Sequence, residues 1–254
     1  MSYITTIASH KGGCGKSTTA LYLIGGLYKR GYKTLLVDID ERATLSHKMA
    51  NQDGPTIADV LRGTVTAAEA IQPARFCDII PAGPELVTPE LIFKDRPGRE
   101  YHLKKALEPI RENYDFIFFD CAGSMNSLTS NALTASDAVI IPTISDEDAI
   151  NGIKSMVELC QDIQEYTNPE LTIKGIMFTG YNNTIFGRAM LDNAQALADH
   201  YKIPFFGPIR QTVEIQGAKF TAGEVNILDG IRRTEVKQEI NDFIDKFIEE
   251  EKAK

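Results

Sequence analysis

His10-Lys11-Gly12-Gly13-Cys14-Gly15-Lys16-Ser17-Thr18 gathers two lysines, three glycines and two hydroxyls into one short stretch. Glycines at that density let backbone N–H groups turn inward on an anion, because no β-carbon stands in the way. A helical segment follows at once, so the positive end of its dipole is aimed at the same spot. The chemistry this suits is the cradling of a polyphosphate, with Lys16 reaching the outer phosphates and the Ser17 hydroxyl offered to magnesium.

Two other runs could add carboxylates. Leu35-Leu36-Val37-Asp38-Ile39-Asp40 is apolar until it ends in acids two residues apart, and alternation along extended chain puts both on one face. Phe116-Ile117-Phe118-Phe119-Asp120 ends in a single acid, the pattern by which a buried strand carries a carboxylate toward a nucleotide-bound metal. Phosphoryl transfer needs neutralised charge and an aligned water more than a covalent nucleophile, and these residues supply both.

To meet, the three runs must be strands of one sheet that end at the same edge, where open α/β sheets place their ligands. Apolar, β-branched runs occur near residues 3–8, 34–38, 77–81, 116–120, 138–142, 173–179 and 203–206. Helical patterns fall between them, near 16–30, 56–62, 66–71, 101–112, 146–166 and 187–200. This order predicts an α/β fold, a mostly parallel central sheet with helices on both faces. With no linker, repeat or low-complexity tract, residues 1–254 are expected to form a single domain. The proline-rich stretch 81–98 reads as a long surface connection.

Composition narrows the function. A net charge of −8 over 254 residues argues against a general coat of positive charge for nucleic acid and leaves room only for a local patch. The four cysteines are far apart with no CxxC pair, as expected of structural thiols in a reducing compartment. No apolar run approaches the roughly 18 residues of a membrane span, and no basic-then-apolar leader opens the chain, so a cytoplasmic protein is expected. After Thr234, Val236, Ile240, Phe243, Ile244, Phe247 and Ile248 recur at helical spacing. The opposite face carries Glu239, Asp242, Asp245 and Glu249, the wrong sign for an anionic bilayer, so no membrane attachment is expected.

The ordinary phosphate loop, GxxxxGK[ST], would place a glycine where this chain has His10, and a second lysine, Lys11, opens the loop instead. KGGCGKST matches in full the KGGxGK[ST] form of the deviant Walker A loop, and the chain resembles the ParA/MinD superfamily, ParA-type partition proteins above all. The likeness extends through 55–63, 79–82, 114–121 and 128–137. It implies a P-loop ATPase that uses ATP and magnesium and forms a homodimer on ATP. Lys11, Gly12, Gly13, Cys14, Gly15, Lys16, Ser17 and Thr18 would hold the nucleotide, with Lys11 reaching the partner subunit's phosphates and Pro208 and Arg210 near the adenine. Lys11, Lys16 and Asp40 would serve catalysis, Asp40 by positioning the attacking water, and Ser17, Asp38 and Asp120 would serve the metal. The resemblance further implies segregation of plasmid or chromosomal DNA through nonspecific DNA binding, with hydrolysis stimulated by a ParB-like partner protein.

Three departures mark this chain. Glu41-Arg42 follows Asp40 where the family often has Pro-Gln, Ala122-Gly123 follows Cys121 where two prolines are usual, and Glu214 stands where an arginine is common. An anion there repels phosphate, so DNA contacts would fall to Arg188, Arg210, Lys219, Arg232, Arg233 or Lys237. The same switch could position a protein complex. Two other classes share the fold: an ATP-dependent ligase similar to the dethiobiotin and cobyrinate synthetases, and an iron–sulfur carrier, which expects the cysteine pair this chain lacks.

Overall fold

Alternation within the apolar strands builds two core layers. The computed structural model describes residues 2–94 and 96–252. Its strands are β1 (Tyr3–Ile7), β2 (Thr34–Ile39), β3 (Gln72–Pro73), β4 (Asp78–Ile80), β5 (Phe116–Cys121), β6 (Ala138–Thr143), β7 (Thr172–Tyr181) and β8 (Phe205–Arg210). They form one sheet in the order β3-β4-β2-β5-β1-β6-β7-β8, parallel throughout except where β3 runs antiparallel to β4. Successive side chains point to opposite faces, so Leu36, Phe116, Phe118 and Ile140 enter one layer while Leu35, Val37, Ile117, Phe119 and Val139 enter the other. Strands covered on both sides read as continuous apolar runs, which is what made them visible in the sequence.

The helix Lys16–Lys29 leaves β1, crosses β5 and delivers β2, packing in the first layer beside the terminal helix Thr234–Lys252. The helix Ser127–Ala135 leaves β5, crosses β1 and delivers β6 in the second layer. The two connections depart to opposite faces, which opens a crevice at the carboxyl ends of β1 and β5. The stripe on the terminal helix is core: Val236, Ile240, Phe243, Ile244, Phe247 and Ile248 are all buried, and Phe247 meets the rings of Tyr3, Phe116 and Phe118. No described helix is long and apolar enough to cross a membrane.

Several boundaries differ from expectation. The predicted helix over 101–112 is broken into a 3-10 turn Arg99–Tyr101, a helix His102–Leu107 and a second 3-10 turn Glu108–Asn113, because Pro109 has no N–H to continue the helical ladder. The stretch 81–98 is not a surface connection alone. It holds a 3-10 turn Pro84–Val87 and a helix Pro89–Phe93, each with proline in its first turn, and buries Leu86, Ile92 and Phe93 in the second layer. The last strand begins at Phe205, not residue 203, and runs on to Arg210. Two elements met as expected carry full capping boxes: Thr56 with Asp59 opens Ile57–Arg62, and Thr66 with Glu69 opens Ala67–Ala70.

Candidate nucleotide site

The loop between β1 and the first helix stands over the crevice. Gly13 and Gly15 adopt left-handed backbone (φ 82° and 87°), the region open to glycine without steric cost. At Gly15 a β-carbon would also come within 2.6 Å of Thr179 Cγ2. Gly15 precedes the helix with no side-chain cap, which leaves the first-turn N–H groups directed at whatever enters the crevice.

Lys16 is buried, and its ammonium donates to the Lys11 carbonyl at 3.0 Å and to Ser9 Oγ at 3.3 Å. Burial lowers its pKa, with Cys14, Asp120 and Cys121 nearby favouring the cation. Lys11 behaves differently. Its side chain is one-third exposed and forms ion pairs with Asp146 and, at 3.2 Å, with Asp148. The bond to Asp146 raises the lysine pKa and lowers that of the carboxylate. Asp146 also accepts from Ala149 N–H at 3.0 Å, capping the helix Glu147–Tyr166.

Register brings the acids together. Asp38 of β2 is the lateral partner of Asp120 of β5, and both continue the face that carries Leu36 and Phe118, the side on which the first helix packs. Asp38 accepts from the Ser46 hydroxyl at 2.7 Å, the Ser46 N–H at 2.9 Å and the Asp40 N–H at 3.1 Å. Burial still pushes its pKa up to about 6. Asp120 is fully buried, and neither of its oxygens has a hydrogen-bond partner among the described residues. Desolvation raises its pKa well above the usual carboxylate range, the charge on Asp38 adds to this, and the Ser17 hydroxyl and Lys16 pull the other way. A carboxylate left bare in the interior beside a hydroxyl and a lysine is what a small hard cation would satisfy. No cluster of three His, Cys, Asp or Glu side chains forms among the described residues, so such a cation would draw its other ligands from Ser17, phosphate and water.

Asp40 lies just past the end of β2 with its carboxylate 2% exposed, covered by Arg42. A cavity of about 320 Å³ adjoins the loop, lined by Gly13, Gly15, Thr18, Thr179, Arg210 and Lys219 among others. A neighbouring one of about 680 Å³ shares Asn182, Arg210, Gln211 and Thr212 and reaches Arg233. Arg210 therefore faces the region beyond the phosphate loop, tied to Glu239 at 2.7 Å, whereas Pro208 lines neither cavity. Glu214 accepts from the N–H groups of Arg232 and Arg233 at 2.8 and 3.0 Å, so this acid anchors a loop bearing two arginines.

Sequence reasoning did not single out Ser9, Ser46, Asp146 or the role of Arg42. Ser46 and Asp146 become partners only through folding, eight and 135 residues from Asp38 and Lys11, so no local pattern announces them.

Fold and site together define a nucleotide-binding class: a phosphate loop between a central parallel strand and a helix, with two adjacent strands supplying acids. The family model described as an AAA domain (AAA_31) matches residues 2–173. The sporulation initiation inhibitor protein Soj of Bacillus subtilis is 34% identical over 184 residues, covering 70% of this chain and 73% of the relative. The chromosome partitioning protein ParA of Caulobacter vibrioides is 34% identical over 186 residues, covering 70% of each. Among solved structures, cobyrinic acid a,c-diamide synthase of Mycobacterium smegmatis with bound ATP analogue and magnesium superposes with a TM-score of 0.84 at 27% identity, covering 100% of this chain and 97% of that one. The chain belongs to the ParA/MinD-type P-loop ATPases.

Proposed function

We propose that this ParA-family ATPase dimerises on ATP and magnesium and uses the cycle of binding and hydrolysis to segregate or position DNA. The observation that carries the reading is the two-lysine glycine loop set beside a bare, buried Asp120. In it, residues 11–18 hold the triphosphate, Lys16 its outer phosphates, and Ser17 and Asp120 the magnesium, with Asp38 fixing the β2 end through Ser46. Magnesium, when bound, neutralises charge that develops on the phosphates. Asp40 orients the attacking water, and Lys11 leaves Asp146 for the phosphates of a second copy. Arg210 borders the adenine end. Arg188, Arg232 and Arg233, all exposed, are the cations offered to DNA phosphates. A ParB-like protein would accelerate hydrolysis and release the DNA.

The test is a DNA mobility shift with ADP, ATP and a nonhydrolysable analogue across a salt series. An ATP-dependent shift is expected, with affinity falling about a thousandfold between 50 and 200 mM salt if some six phosphates are contacted. Absence of binding in every nucleotide state at low salt would remove the DNA role. The 27% identical synthase favours a second reading, an acid-activating ligase, and ADP release that required an added carboxylic acid would favour it over partition.

A further inference from the structure

Arg42 grips Asp40 through three bonds. Its N–H and Nε donate to Oδ1 at 2.9 and 3.2 Å, and Nη2 donates to Oδ2 at 2.7 Å. A carboxylate has about four lone-pair sites, so one at most is left for a water. The fork therefore restricts Asp40 to a single open site, too few to fix both the position and the orientation of a catalytic water. The remaining nitrogen, Nη1, makes no hydrogen bond among the described residues and lies 4.0 Å from where a β-carbon on Gly12 would stand, against the phosphate loop. Of the pair, the guanidinium is the solvent-facing member, with room to turn: its side chain is 55% exposed and that of Asp40 is 2% exposed. Arg42 also sits in a tight turn, closed by Ala43 N–H to Asp40 carbonyl at 2.8 Å, with Ala43 in the left-handed region (φ 49°).

We propose that Arg42 is a phosphate-binding residue that exchanges the Asp40 carboxylate for the terminal phosphate of a bound nucleoside triphosphate and so frees Asp40 to orient water. The inference rests on reading residues 11–18 as a triphosphate site. A guanidinium matches phosphate oxygens with the same planar fork it presents to a carboxylate, and a terminal phosphate carries more charge than Asp40. The Arg42 N–H to Oδ1 bond does not involve the side chain, so it persists through the exchange and keeps Asp40 aimed into the crevice. One cation thereby makes release of the water-orienting acid conditional on the third phosphate. A nucleoside diphosphate, which lacks that phosphate, leaves the fork on Asp40.

The test is equilibrium binding of ADP and of a nonhydrolysable ATP analogue, each with magnesium, to the full chain and to Arg42→Gln and Arg42→Lys. Because one anion replaces another, Arg42→Gln is expected to weaken the analogue about tenfold and ADP less than about twofold, with Arg42→Lys recovering part of the loss. A pair that served only the fold would move both nucleotides alike. Equal losses for both, or no loss for either, overturn the proposal. Failure of the unaltered chain to bind either nucleotide would instead overturn the triphosphate reading itself.

Discussion

Gly123 is the position at which one added carbon tests whether the phosphate loop and the segment after β5 work as a unit. A β-carbon there would stand 2.7 Å from Gly12 N, 2.9 Å from Gly12 Cα and 3.0 Å from the Lys11 carbonyl carbon. All three atoms are backbone, so no side chain can rotate aside. Carbon reaches comfortable contact at about 3.5 Å or more, so Gly123→Ala forces the loop and the β5 end apart by roughly 0.7–1 Å. Over-packing of that kind costs about 1–3 kcal/mol, and for a chain of this size each kcal/mol lowers the melting temperature by about 2–4 °C. The loop takes up part of the shift, and a misplacement of about 1 Å in a positioning element costs on the order of a hundredfold in kcat/KM. Thermal unfolding and steady-state ATP hydrolysis read the two effects separately. Gly217→Ala is the matched control: it lies in the helix Val213–Phe220 with nothing within 4 Å of the new carbon, and it should stabilise by about 0.5–1 kcal/mol. If Gly123→Ala melted within a degree of the parent and kept its kcat/KM within about twofold, the close approach would not constrain the loop and the reasoning would be wrong.

Asp38→Asn tests the buried acid pair through pH. Burial raises the Asp38 pKa to about 6 in the folded chain, so its stabilising contribution is full below the unfolded value and is lost as pH rises through 6. The nucleotide-free parent should therefore lose on the order of 3 kcal/mol relative to Asp38→Asn between pH 4 and 7, and a difference in stability that stayed flat with pH would refute it. Asp146→Asn keeps an N-cap for Glu147–Tyr166 while removing the nearer of the two charges that hold Lys11, so the proposed ATP-dependent dimers should form at several-fold lower ATP in sedimentation; an unchanged threshold would mean that this ion pair does not restrain Lys11. Phe247→Ala removes a fully buried ring from the terminal helix and should cost about 3–5 kcal/mol in denaturant unfolding, far more than an exposed helix position would.

The parts of this molecule legible in its sequence are those whose physics is local. β2 and β5 announce themselves because strands buried on both faces run apolar, from Leu35 to Val37 and from Phe116 to Phe119, before the acids near their ends. The phosphate loop is legible because left-handed backbone at residues 13 and 15 admits glycine and because Lys16 and Ser17 must follow directly on the helix start. The stretch 81–98 was illegible for a related reason: its helices are four and five residues long, too short to display a period, and their burial comes from contacts with distant elements. Asp38 and Asp120 could each be found, but their lateral pairing depends on the β2–β5 register, which connects positions 82 residues apart. The Asp40–Arg42 fork was two residues wide and still invisible, since the same dipeptide spacing in a solvated turn would leave both side chains in water.

Three cations around the phosphate loop are each held by an oxygen of this chain. Lys16 rests on the Lys11 carbonyl and Ser9, Lys11 on Asp146 and Asp148, and Arg42 on Asp40. The anions, by contrast, are unequally served, for Asp120 has no such partner among the described residues. A magnesium nucleotide is the ligand whose chemistry reverses both conditions, because its phosphates compete for Lys16 and Arg42, those bound to a second copy compete for Lys11, and its metal would satisfy the bare acid. The cations hang from separate elements: the loop after β1, the turn after β2 and, through Asp146, the start of Glu147–Tyr166. Ligand exchange at these points would therefore release contacts on separate segments together. Such an exchange would couple nucleotide state to surface shape while leaving the sheet in place, its strands joined by their own ladders and packed between two apolar core layers.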